Sequence, residues 1–194
     1  MSAYANLREI DSEVSSVNYM DPGIHDNCEM TRIVVDTSPN GNHFIAFYFE
    51  GEDGKTFSHT EWEPKETDPI KLESKTNNLL KRIKHIGTKY VSKEVFENIV
   101  STDFKSFCEG VVKTIGDKYK GLKVRLKVTY NNKNFTSFPN YVPFMETMLS
   151  GKTKLNIRSI DKMVKDQADK EPSLVSNPFE PQGNVVATND GLPF

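Results

Sequence analysis

From Ile24 to Val35 apolar and polar residues alternate, with Cys28 and Met30 in one phase and Ile33 and Val35 in the other. The slip near Thr31-Arg32 predicts a bulge or bend in a long first strand. His43 to Phe49 alternates again: Ile45, Phe47 and Phe49 share one face, and Phe44, Ala46 and Tyr48 share the opposite one. Both faces carry rings, which burial of one side alone does not explain. Ser38-Pro39-Asn40-Gly41 and Gly51-Glu52-Asp53-Gly54 read as turns, and Lys55 to Trp62 as the returning strand. Three strands joined in this way form a meander.

Pro64 to Glu73 is a charged, proline-containing linker, after which the period lengthens. Leu79, Leu80, Ile83 and Ile86 keep helical spacing up to Gly87. A second helical region starts at the capping Ser92 with Val95, Phe96, Ile99 and Val100, and restarts at Ser101-Thr102-Asp103 with apolar positions from Phe104 to Ile115. Beyond Gly121, the alternation is the cleanest in the chain. Leu122, Val124, Leu126 and Val128 face inward, while Lys123, Arg125 and Lys127 form a row on the other side. A further strand, about Asn134 to Phe138, pairs with it across Asn131-Asn132-Lys133, and Lys152 to Ile160 reads as a short strand or an extended segment.

Three strands, a helical insertion and two more strands predict an α+β, mainly β fold: a five-stranded OB-type Greek-key barrel with helices between strands three and four. An α+β sheet with helices packed on one side is the alternative. Residues 1–20 read as an N-terminal arm, 21–160 as the folded domain, and 161–194 as a flexible tail punctuated by Pro172, Pro178, Pro181 and Gly183.

With 194 residues, 36% apolar and 27% charged, the chain can bury one ordinary core. It has no apolar run long enough to span a bilayer, and Met1 to Tyr19 lacks the basic and apolar blocks of a signal peptide. The expectation is a cytoplasmic protein without membrane partners. Cys28 and Cys108 stand alone, as buried thiols do, and suggest neither a disulfide framework nor a zinc ribbon.

The net charge of -2 hides a segregation along the chain. Residues 1–64 carry 3 Lys/Arg against 12 Asp/Glu, residues 65–133 carry 16 against 8, and residues 134–194 carry 6 against 7. A basic segment within an acidic chain suits a face that binds a polyanion; lysines decorating solvated helices would give the same balance. Binding an unpaired strand without sequence preference needs flat rings for bases and cations for phosphates. The candidate rings are Phe44, Tyr48, Trp62, Tyr130, Phe135, Phe138 and Tyr141, each of which could instead pack in the core. The candidate cations are Lys123, Arg125 and Lys127, with Arg32 and Lys55 nearby in a barrel.

His59, Glu61 and Glu63 point the same way on a strand, and an imidazole with two carboxylates can bind a divalent metal, as in a nuclease. With four histidines and no second His-carboxylate cluster, that reading is the lesser one. Neither a phosphate-binding glycine loop nor a nucleophile elbow is present, so no catalysis, cofactor or metal is expected.

The chain ends Asp190-Gly191-Leu192-Pro193-Phe194, after a tail with no Lys or Arg beyond Lys170. A terminal ring beside an α-carboxylate suits a pocket with a basic rim. This ending is similar to that of bacterial and phage single-stranded DNA-binding proteins, although only Glu171, Glu180 and Asp190 carry negative side chains here. Gly23-Ile24-His25-Asp26-Asn27, Asn40-Gly41, His59-Thr60-Glu61-Trp62-Glu63-Pro64, Arg82-Ile83-Lys84-His85-Ile86 and Ser137-Phe138-Pro139 together resemble a group of phage proteins of that kind. The resemblance runs from about residue 22 to 158, with the tail added. It implies an OB fold that coats single-stranded DNA in replication, recombination and repair. It also implies recruitment of partner enzymes through Asp190, Leu192, Pro193 and Phe194; self-association into a homo-oligomer is a separate expectation that the resemblance does not supply. A virion structural or assembly protein is the alternative.

Overall fold

The computed structural model describes residues 18–149 and 152–166. Strand β1 spans Gly23–Thr37, β2 His43–Glu50 and β3 Thr56–Trp62. Helices α1 (Pro69–Gly87), α2 (Lys93–Glu97) and α3 (Phe104–Ile115) follow, and then β4 (Lys123–Tyr130), β5 (Thr136–Ser137) and β6 (Met145–Thr147). The result is a mainly antiparallel β sheet with a few helices. Its order is β3-β2-β1-β4-β5, with β6 also pairing β4.

The slip at Thr31 is real. Met30 pairs with Phe49 but Arg32 pairs with Tyr48, leaving Thr31 as the extra residue. A second irregularity, between His25 and Cys28, was not visible in the alternation; there Asn27 takes a φ of 55°. These two bulges bend β1 enough for its first half to pair with β4 and its second with β2.

The inward faces are as the alternation requires. Cys28, Met30, Ile45, Phe47, Phe49, Phe57, Val124, Leu126 and Val128 are buried together with Leu79, Ile83 and Ile86 of α1 and Cys108, Val111 and Ile115 of α3. Asp68 caps α1 by accepting from the N–H groups of Ile70 (2.9 Å) and Lys71, ahead of Pro69 in the first turn. Asp103 caps α3 through the Ser106 N–H at 2.8 Å. At the α1 C-terminus the Phe96 ring of α2 lies against Gly87 so closely that a Cβ there would sit 1.9 Å from a ring carbon. Helix α1 ends on a glycine for lack of space, not only of propensity.

Three expectations are corrected by the structure. The backbone ladder does not close into a barrel among the described residues, since β5 pairs with β4 alone. Only two residues of β5 are laddered, between Asn134, at a φ of 60°, and Pro139, which has no N–H to donate. A side chain spans the gap instead. His59 Nδ1 accepts from the Phe138 N–H and lies beside the Ser137 hydroxyl, both at 3.3 Å.

The packed body also extends past the expected boundaries at both ends. Thr56 N–H donates to the Asn18 carbonyl (2.8 Å) and the Met20 N–H to the Thr56 carbonyl (2.9 Å), so residues 18–20 run along the start of β3, with Met20 buried. Residues 152–160 form no strand, and 161–166, which the sequence had assigned to the tail, pack with them against β4: Lys127 donates to the Asn156 carbonyl and the Tyr130 N–H to the Lys162 carbonyl.

The third correction is Lys127. It alternates correctly, away from the Leu126 side, yet only 1% of it is exposed because residues 156–161 cover it. Its ammonium donates to the Tyr141 hydroxyl (2.8 Å), the Asn156 carbonyl (3.1 Å) and Asp161 Oδ2 (3.2 Å). A buried charge is tolerable only with such a set of partners. Tyr141 in turn donates to Asp161 Oδ1, and the Arg158 N–H donates to Oδ2 at 2.7 Å. Burial opposes ionisation of Asp161, but these donors outweigh it and hold the carboxyl below its usual range.

Candidate nucleic-acid interface

Cross-strand partners share a face, and the registers put three rows on the outer side of the meander: Arg32, Tyr48 and Ser58; Val34, Ala46 and Thr60; Asp36, Phe44 and Trp62. Arg32 lies over the Tyr48 ring at 4.1 Å. Phe44 is half-buried against Trp62, with centroids 4.8 Å apart and planes at 45°, leaving Trp62 48% exposed.

The β3 column of this face, Ser58, Thr60 and Trp62, continues into a groove of about 1090 Å³. The β4–β5 turn, Tyr130 to Phe138, lines it as well, together with Tyr19 and with Ile160, Asp161, Lys162 and Lys165 of the returning segment. Tyr19 is 60% and Phe135 66% exposed, while Tyr130 and Tyr141 are half-buried. Lys165 sits 5.5 Å over the Tyr130 ring, and neither it nor Lys133 has a carboxylate partner among the described residues. Lys162 donates to Asn134 Oδ1 (2.9 Å) and pairs with Asp166, fastening the returning segment to the turn.

Five of the proposed positions therefore meet at the groove: Trp62, Tyr130, Phe135, Phe138 and Tyr141. Phe138 reaches it only by its backbone, for its ring is 3% exposed and packs on Phe144 (4.4 Å), Phe57 (4.8 Å) and Phe49 (5.7 Å). Arg32, Phe44 and Tyr48 form the adjoining sheet face. The remaining cations are brought elsewhere and mated to carboxylates. Lys55 pairs with Asp53 (3.5 Å) and Asp21 (3.8 Å), Lys123 with Glu29 (3.0 Å), and Arg125 with Asp26 and with Glu146 (3.5 Å). Lys127 is sealed in. The tip residues Asp190, Leu192, Pro193 and Phe194 lie outside the described residues.

Sequence reasoning missed Tyr19, Lys133, Lys162 and Lys165. Tyr19 was hidden because nothing in a polar arm announces an edge pairing with Thr56. The lysines were hidden because the return of residues 152–166 to β4 depends on contacts far apart in the chain.

His59, Glu61 and Glu63 do not converge on a common point. Because a backbone N–H can only donate, the Phe138 contact makes Nδ1 of His59 an acceptor; the ring proton therefore sits on Nε2, which donates to Glu61 Oε1 at 2.9 Å. Arg82 of α1 clamps the same carboxylate with bonds of 2.5 and 2.7 Å. Burial opposes charge on Glu61, but the Arg82 and His59 bonds overcome it and keep its carboxyl below the ordinary range. The cluster ties β3, α1 and the residues after β5 together. Among the described residues, no three His, Cys, Asp or Glu side chains are placed to hold a metal ion, and no helix is long and apolar enough to cross a membrane.

No protein-family model matches the chain, and no curated protein is significantly similar to it in sequence.

Proposed function

We propose that this protein binds single-stranded nucleic acid without sequence preference, as a DNA-coating protein of phage replication, recombination and repair. The observation that carries the reading is the groove. Exposed Tyr19, Trp62 and Phe135, half-buried Tyr130 and Tyr141, and Lys133 and Lys165, which have no carboxylate partner among the described residues, line one trough. Rings contribute roughly 1–3 kcal/mol per stacked base, and each neutralised phosphate adds a salt-dependent increment. The strand order and the helices between β3 and β4 fit an OB-type barrel left open between β3 and β5, with ligand across the β2–β3 face and the β4–β5 turn. On this reading the ending Asp190 to Phe194 recruits partner enzymes.

The test is a titration of Trp62 fluorescence with oligo-dT across a range of salt. Quenching is expected, with affinity falling steeply as salt rises. Equal affinity for duplex, or no dependence on salt, would sink the proposal.

A further inference from the structure

The β3 wall of the groove carries a second set of polar groups, none of them side chains. Gly51 N–H donates to the Lys55 carbonyl (2.9 Å) and Glu63 N–H to the His43 carbonyl (3.0 Å), so the odd-numbered residues of β3 bond to β2. Thr56 turns the other way, to Asn18 and Met20. By the alternation of an antiparallel edge, the N–H and C=O of Ser58, Thr60 and Trp62 point to the same side as those of Thr56, into the groove. Residues 18–20 cover the edge only at Thr56, and β5 does not ladder onto it. Among the described residues, no main-chain partner meets Ser58, Thr60 or Trp62 on that side.

We infer that this free edge of β3 reads the Watson–Crick edges of unpaired bases, and so supplies a preference for single strands that rings and cations do not. The inference rests on the nucleic-acid reading above. In an extended residue the N–H and C=O on one side form a neighbouring donor and acceptor. Every base presents a complementary pair on its Watson–Crick edge: an exocyclic amine beside a ring nitrogen in adenine and cytosine, a carbonyl beside a ring N–H in guanine and thymine. The edge therefore discriminates little among bases. In a duplex those groups are already spent on the opposite strand, whereas phosphates remain available to any cation. Successive readers on the edge are about 6.7 Å apart, twice the rise per residue. That is about double the 3.4 Å separation of bases along one duplex strand, which leaves room for a ring between neighbouring bases. Exposed Trp62 and Phe135 lie in the same groove. An added peptide strand is the other occupant such an edge admits. The solvent-facing rings and the cations Lys133 and Lys165 favour nucleotides.

The full-length protein is titrated with oligo-dT and with an equal-length oligomer of N3-methylthymidine, which keeps ring, sugar and phosphate but blocks the Watson–Crick donor. Binding of the methylated oligomer is expected to be weaker by roughly tenfold or more, since each lost hydrogen bond accounts for a factor of about two to ten. Thr60→Pro removes one reading N–H at a position where an edge strand tolerates proline. Relative to Thr60→Ala, which makes the same side-chain change but keeps the N–H, it is expected to weaken oligo-dT binding roughly three- to tenfold and to narrow the gap between the two oligomers. Equal binding of the two oligomers by the unaltered protein overturns the inference and leaves the functional reading standing. A gap that persists undiminished in a folded Thr60→Pro overturns it as well, since the methyl would then be acting by bulk. If Thr60→Pro does not fold, the comparison on the unaltered protein decides. Absence of any oligo-dT binding removes both readings together.

Discussion

Asp161→Ala strands the Lys127 ammonium in the interior, and its cost can be worked from the contacts. Removing one partner of a buried ion pair typically costs about 3–5 kcal/mol, because the remaining charge is neither hydrated nor paired. Lys127 would keep the Tyr141 hydroxyl and the Asn156 carbonyl, which argues for the lower end. The Arg158 N–H and the Tyr141 hydroxyl would each lose an acceptor, adding about 0.5 kcal/mol apiece. A loss of about 4 kcal/mol is expected. Urea unfolding with a slope of about 1–3 kcal/mol/M would show it as a midpoint lowered by roughly 1–4 M at unchanged slope. Thermal unfolding would show a fall of about 8–16 °C for a chain of this size. The double variant Lys127→Met with Asp161→Leu removes both charges and should recover most of the loss, a coupling that a cycle of single and double variants measures. An Asp161→Ala loss below about 1 kcal/mol, or additivity across the cycle, would refute the account of how residues 156–166 are held on β4.

Trp62→Ala should weaken oligo-dT binding roughly five- to hundredfold, the equivalent of one stacked base, without lowering the unfolding free energy by more than about 1 kcal/mol; unchanged affinity would remove Trp62 from the interface. Burial, reinforced by the Lys89 ammonium, pushes His85 down to about 4, while its Nε2 accepts from the Phe144 and Met145 N–H groups at 3.3 Å. The folded value thus lies below the unfolded one, so the contribution of neutral His85 is fully present above pH 6.5 and is lost as pH falls towards 4. At 1.36 kcal/mol per unit the loss is about 3 kcal/mol, and urea unfolding of His85→Gln should lack that part of the pH dependence. Identical pH profiles for the two proteins would exclude His85 as the source. Gly87→Ala adds a helix-favouring residue worth about 1 kcal/mol but drives its Cβ into Phe96, so calorimetry should find it destabilised by about 1–3 kcal/mol. A stabilised variant would mean that Phe96 moves aside freely.

Much of the sheet was legible because period two is enforced wherever one face is buried: Ile45, Phe47 and Phe49, and Val124, Leu126 and Val128, could occupy no other side. The bulge at Thr31 was legible for the same reason, as a break in phase. β6 was not, because Met145–Thr147 is three residues long and owes its pairing to the partner strand. At the groove, Trp62 and Phe135 were recognisable as rings near a strand end and a turn. The roles of Lys123, Arg125 and Lys127 were not, because a row of cations looks the same in sequence whether it faces solvent or faces Glu29, Asp26 and Asp161. Charge can be counted in one dimension, but its neutralisation happens in three.

The additional residue at Thr31 sets a rule for how this chain can change in length. The turns at 38–42 and 51–55 can gain or lose residues while the strands they join keep their facing. Removing Thr31 would restore an unbroken alternation, with Arg32, Val34 and Asp36 still outward and Ile33 and Val35 still inward, but would take away the bend that lets β1 pair with β4 by its first half and with β2 by its second. Descendants of this sequence should accordingly vary in size at the hairpin tips and hold a constant count between Met30 and Arg32.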